Sequence, residues 1–90
     1  MTNGADLHSK DNNGDTALIK AAYKGHRDVC ALLLTNGAHV NATNNDISRT
    51  TALILAAKND HRDVCELLVT SRADVNAKDG SGDTALIWAV

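Results

Sequence analysis

Phenylalanine and proline are absent from this chain, and Trp88, Tyr23 and Met1 are each the single residue of their kind. Without large rings, the core has to be packed from Ala, Leu, Ile and Val, which suit short helices stacked closely together. In 90 residues there is room for one small domain, burying roughly 60–65% of its unfolded surface. An excess of charge of one sign is missing too: 9 Lys and Arg stand against 11 Asp and Glu, a net charge of −2. That balance removes the electrostatic reason to expect nucleic acid or an anionic membrane as partner. No stretch approaches the roughly 18 apolar residues of a membrane span. Met1 is followed by Thr2, Asn3 and Gly4 rather than by a basic and then apolar signal segment. The expectation is a protein of the cytoplasm or another reducing intracellular compartment, with a protein surface as its partner. Asn41-Ala42-Thr43 spells a glycosylation acceptor, which without an export signal is not expected to be used.

What is present is repetition. Thr16-Ala17-Leu18-Ile19 returns 35 residues on as Thr51-Ala52-Leu53-Ile54, and 33 further on as Thr84-Ala85-Leu86-Ile87. His26-Arg27-Asp28-Val29-Cys30 returns at 35 as His61-Arg62-Asp63-Val64-Cys65. Ala38-His39-Val40-Asn41-Ala42 returns as Ala73-Asp74-Val75-Asn76-Ala77, and Thr2-Asn3-Gly4-Ala5 matches Thr35-Asn36-Gly37-Ala38 at 33. A fixed period of this length marks a stack of supersecondary units, each burying its apolar face against the next.

Within a unit the pattern predicts two short antiparallel helices and a loop. Thr16, Thr51 and Thr84 are natural N-caps, since a hydroxyl there accepts from an otherwise orphaned N–H one turn on. The first helix carries Leu18, Ala21 and Ala22, or Leu53, Ala56 and Ala57, on one face. Gly25 offers the left-handed conformation that ends it. A second helix then runs through Val29, Leu32 and Leu33 to Gly37, its counterpart carrying Val64, Leu67 and Leu68.

This arrangement resembles the ankyrin repeat, whose pattern runs D-x-x-G-x-T-P-L-H-x-A-A-x-x-G-H, then an aliphatic second helix, then G-A-x-V-N-A. Asp11, Gly14, Thr16, Leu18, Ala21, Ala22, Gly25, His26, Val29, Leu32, Leu33, Gly37, Ala38, Val40, Asn41 and Ala42 all fall in register. The resemblance covers nearly the whole chain and implies an all-α solenoid of helix pairs with hairpin loops projecting between repeats. It divides the chain into the tail of a partial repeat (1–10), a repeat (11–43), a repeat with a two-residue loop insertion (44–78) and a partial repeat (79–90).

The departures from that pattern carry their own expectations. Ala17, Ala52 and Ala85 stand where the family has proline, and Ile19, Ile54 and Ile87 where it has histidine, which should loosen the helix starts. Asp60 stands at the turn position of Gly25 and Arg72 at that of Gly37. If the left-handed backbone is kept there, each costs ~1 kcal/mol. The period of 35 places two extra residues between Asn41 and Thr51, lengthening that hairpin tip. At the C-terminal end Leu86, Ile87, Trp88 and Val90 have no following helix in the sequence to cover them, so self-association through uncapped ends is expected.

Chemistry beyond binding finds little support. Cys30 and Cys65 occupy equivalent positions in successive units, where stacked helices lie about 8–10 Å apart. A disulfide needs Cα atoms within ~7 Å, so reduced thiols are expected. His26 with Cys30 and His61 with Cys65 form i,i+4 pairs that could supply zinc ligands. Converging two such pairs across stacked repeats asks for unusual geometry, and no metal, cofactor or catalytic residue is assigned. No nucleophile-base-acid set and no phosphate-binding glycine loop is present, so the chain is read as a non-enzyme.

The family resemblance places partner contacts on the hairpin tips and the exposed ends of the first helices. Here these are Asn12, Asn13, Asp15, Tyr23 and Lys24, then Ile47, Ser48, Thr50, Lys58 and Asn59, then Gly80, Ser81, Asp83 and Trp88. These positions differ from unit to unit while the core letters repeat. The aromatic pair, Tyr23 and Trp88, are the leading anchors. Asn41 and Asn76 resemble positions that asparaginyl hydroxylases modify in some family members. The reading is therefore a protein-interaction module. Its alternative is a structural section of a longer array, or an engineered repeat protein without a partner of its own.

Overall fold

Two threonines start the helices as the sequence leads one to expect. Thr16 Oγ1 accepts from the Ile19 N–H at 3.3 Å and Thr51 Oγ1 from the Ile54 N–H at 3.2 Å. From these caps and their partners the computed structural model builds α1 (Ala17–Lys24), α2 (Arg27–Thr35), α3 (Ala52–Lys58), α4 (Arg62–Thr70) and α5 (Ala85–Trp88). The structure describes residues 7–45 and 47–88, apart from the side chains of Ile87 and Trp88. Among the described residues the only extended pairing is a single antiparallel bridge between Thr43 and Thr51.

The helices form two layers. α1, α3 and α5 pack in succession, α2 packs on α4, and each pair is joined across the layers by α1 on α2 and α3 on α4. Between them lie Leu18, Ile19, Ala21 and Ala22 of the first unit and Ala52, Leu53, Ile54, Ala56 and Ala57 of the second, with Cys30, Leu33, Val64 and Leu68 from the second helices. The alanines keep the helix axes close, which a core without aromatic rings requires. Ile19 and Ile54 are fully buried, so the looseness expected at the helix starts is offset. A threonine cap contributes about 1 kcal/mol, and a buried isoleucine about 1.5–3 kcal/mol.

Three positions per unit turn left-handed. In the first unit all are glycine: Gly14 at the hairpin (φ 82°), Gly25 after α1 (φ 75°) and Gly37 after α2 (φ 96°). In the second they are Arg49 (φ 45°), Asp60 (φ 61°) and Arg72 (φ 71°). The backbone has kept the turn where the sequence has lost the glycine. Both helix ends close in the same way, with His26 N–H bonding Ala21 C=O and His61 N–H bonding Ala56 C=O, the six-to-one bond of the Schellman motif.

Burial differs between the two second helices. Val29 is 46% exposed, while its counterpart Val64 is wholly buried, and Leu32 is exposed as well. The cause is position in the stack. α4 has α2 beside it, whereas no described helix lies on the other side of α2.

Candidate functional site

Each hairpin tip is organised by a side-chain oxygen accepting from backbone N–H groups beyond it. Asp11 Oδ1 accepts from Asn13 N at 2.9 Å and Asp15 N at 3.0 Å, and Asp79 Oδ1 accepts from Ser81 N and Asp83 N, both at 2.9 Å. These turns hold the loop without β-sheet. Asp11 Oδ2 also meets Lys20 Nζ at 2.9 Å. That hydrogen bond, helped by the backbone N–H groups, holds the Asp11 carboxyl below its ordinary value, and the same contact raises Lys20.

The middle tip is built differently. Asn44 Oδ1 accepts from Asn45 N and Thr50 N, while Asn45 Oδ1 accepts from Ile47 N and Ser48 N. Its closing bond, Asn44 N to Thr50 O, spans two residues more than Asp11 N to Asp15 O or Asp79 N to Asp83 O. Two asparagines thus do for the longer loop what one aspartate does for its neighbours.

The tips are tied to one another. Asn45 Nδ2 donates to Asn13 O at 3.3 Å, and Gly80 N donates to Ser48 O at 2.7 Å. A Cβ at Gly80 would run into Ile47 O, and one at Gly14 into Asn44 O. Glycine is therefore demanded by the closeness of the neighbouring tip at both places.

Between the second and third tips lies a groove of about 260 Å³ lined by Ile47, Ser48, Thr50, Lys58, Asp79, Gly80 and Ser81. Of the residues expected at the partner surface, the structure brings Ile47, Ser48, Thr50, Lys58, Gly80 and Ser81 together here. Ile47 is 86% exposed, an aliphatic side chain held out into solvent by a bonded turn. Asn12, Asn13 and Asp15 sit on the first tip, and Tyr23 and Lys24 are exposed at the end of α1, outside this groove. Asn59 is exposed after α3, with Nδ2 donating to Leu55 O, and Asp83 is half-buried on the third tip.

Thr50 corrects the sequence reading. It is only 9% exposed, with its N–H on Asn44 Oδ1 and its hydroxyl on Ser48 O. It locks the tip and presents little to a ligand. The side chain of Trp88 lies outside the described residues. Asp79 was missed as a groove residue, although its place at the head of the hairpin, like that of Asp11, was legible in the repeat.

The other chemical groups serve the stack. His61 Nε2 lies 2.9 Å from Tyr23 O, so it carries the hydrogen and donates. The His61 ring occupies the space above Gly25, where a Cβ would approach Nδ1 to 2.7 Å. Cys30 and Cys65 are free thiols. Burial, with the negative charge of Asp63 behind it, pushes Cys30 up to about 11, and burial followed by Asp60 and Asp63 raises Cys65. Among the described residues no three His, Cys, Asp or Glu side chains gather to hold a metal ion, and no helix is long and apolar enough to cross a membrane. A family model described as ankyrin repeats (3 copies) matches residues 1–79 and, overlapping, 44–90.

Proposed function

Given that this chain belongs to the ankyrin repeat family, whose members are generally non-enzymatic protein–protein interaction modules, we propose that it binds a partner protein along its hairpin tips. The observation that carries the reading is the linked ridge: three tips joined by Asn45–Asn13 and Gly80–Ser48 hydrogen bonds, with Ile47 exposed beside a groove. A surface whose loops are already bonded loses little conformational freedom on binding. An exposed aliphatic residue rimmed by Ser48, Ser81, Lys58 and Asp79 has the make-up of an apolar anchor within a polar border. Tyr23 and Lys24 at the end of α1 extend the surface toward the first helices. The reduced thiols of Cys30 and Cys65 support a reducing compartment, such as the cytoplasm, as the place where it acts.

The test is affinity capture from lysate, read by quantitative mass spectrometry, with the native chain and the variants Ile47→Ser and Ser81→Arg. Loss of a captured protein at an unchanged melting temperature supports the tip surface. An identical captured set for all three chains would refute it.

A further inference from the structure

The first and third hairpin tips are built on the same internal bonds. Asp11 and Asp79 each accept two backbone N–H groups on Oδ1, from Asn13 and Asp15 in one tip and from Ser81 and Asp83 in the other. Their turns close alike, Asp11 N to Asp15 O and Gly14 N to Asp11 O, then Asp79 N to Asp83 O and Gly82 N to Asp79 O. The two glycines share a left-handed backbone, φ 82° and 84°.

The difference is the second carboxylate oxygen. Asp11 Oδ2 meets Lys20 Nζ at 2.9 Å. Counted from the capping threonines Thr16, Thr51 and Thr84, the place of Lys20 is taken by Leu55 in the second unit and by Trp88 in the third. In the middle tip Asn44 holds the place of Asp11, closing on Thr50 as Asp11 closes on Asp15. Carboxylate and lysine are thus both present in the first unit and both absent from the second. The third unit keeps the carboxylate and loses the lysine. Among the described residues the ion pairs are Lys20–Asp11 and Arg62–Asp60, and none includes Asp79. Lys58 lines the same groove as Asp79 but has an interaction of its own.

Building on the tip-binding reading above, we infer that Asp79 takes a lysine side chain of the bound protein, while Ile47 on the facing tip takes an aliphatic side chain next to it. The occupant is a peptide segment with lysine beside an aliphatic residue. Lysine is favoured over arginine on geometric grounds. Oδ1 of Asp79 is already engaged by two N–H groups, which leaves Oδ2 for a single contact of the kind Lys20 makes with Asp11. A guanidinium fork gains its advantage only when both oxygens are open to it. The Gly80 N–H to Ser48 O bond at 2.7 Å fixes the Asp79 tip against that of Ile47, so the two contacts are spaced before a ligand arrives.

The experiment selects phage-displayed random dodecapeptides on the immobilised 90-residue chain. Selected peptides are then measured by fluorescence anisotropy against the native chain, Asp79→Asn and Ile47→Ser. Asparagine suits the test because Asn44 Oδ1 accepts two backbone N–H groups in the middle tip. The turn should therefore outlast the charge, as an unchanged melting temperature would verify. Lysine beside Leu, Ile or Val should be enriched, and Asp79→Asn should weaken these peptides roughly threefold to fivefold, the upper range for a surface ion pair. Norleucine in place of the peptide lysine should cause the same loss on the native chain and no further loss on Asp79→Asn. That comparison on the native chain decides the matter should the variant melt lower. Arginine in place of lysine should gain nothing. The inference is overturned by selected peptides without lysine, by equal binding to the native chain and Asp79→Asn, by an indifferent norleucine peptide or by a tighter arginine peptide. Peptides weakened by Ile47→Ser yet indifferent to Asp79→Asn would leave the tip surface standing and remove only the lysine. Peptides indifferent to both variants, or a selection that yields none, would remove both readings.

Discussion

Arg72→Gly should stabilise this protein, although it deletes a side chain. Arg72 holds φ at 71°, and a left-handed backbone costs a residue with a Cβ about 1–2 kcal/mol. Glycine escapes that cost but loses about 0.4–1 kcal/mol through the greater freedom of its unfolded chain. The difference is a net gain of about 0.5–1 kcal/mol, or roughly 2–8 °C in melting temperature for a domain of this size. Asp60→Gly should gain less, because aspartate tolerates the left-handed region better than arginine. The converse substitutions separate torsion from packing. A Cβ at Gly37 meets nothing within 4 Å, whereas one at Gly25 meets the His61 ring at 2.7 Å. Gly37→Ala should cost only the torsional 1 kcal/mol or so, and Gly25→Ala more, because His61 must also leave Tyr23 O. Thermal unfolding followed by circular dichroism on the four variants decides it. A lowered midpoint for Arg72→Gly, or equal losses for the two alanine variants, would refute the reasoning.

Other consequences are open to simple measurement. Thr51→Ala removes the oxygen that accepts from Ile54 N and should cost about 1 kcal/mol in denaturant titration; an unchanged midpoint would show the cap to be silent. Cys30, buried and raised to about 11, should react with a thiol reagent at pH 8 only when the chain is unfolded, with Cys65 the faster of the two under native conditions. Because the folded pKa of Cys30 lies above its ordinary 9.0, that thiol's contribution to stability is intact below pH 9 and falls as pH rises toward 11. For Asp11 the sign is reversed. Its depressed carboxyl stabilises the fold above the ordinary 3.8 and loses that contribution as pH falls below it, so Lys20→Met should flatten the acid limb of a melting-temperature profile.

Much of this molecule could be read from period alone. Thr16 and Thr51 announced the helix starts, the alanines marked the close-packed face, and Asp60 and Arg72 were identified as turn positions through their alignment with Gly25 and Gly37. Arg49 escaped notice as the partner of Gly14, because the two inserted residues obscure the alignment beside it. Val29 and Leu32 carry the same repeat letters as the second helix of the next unit, yet letters carry no information on whether a neighbouring helix is present, and so none on their exposure. Thr50 looked like surface for the opposite reason: it varies between units, but it varies because the longer tip needs a hydroxyl to tie Ser48 O. Contacts between tips, such as Gly80 to Ser48, join residues 32 apart and left no local trace.

The coupling of the three tips has a mechanical outcome. A ligand that tried to wedge two adjacent loops apart would have to break the Gly80–Ser48 bond and strip Asn45 from Asn13 O. The ridge therefore moves as one strip, and a newcomer is accommodated by side chains at its crest while the loops beneath keep their spacing. Changing Ile47 or Ser81 would alter what is recognised without disturbing that frame. Changing Gly80 would open the strip itself.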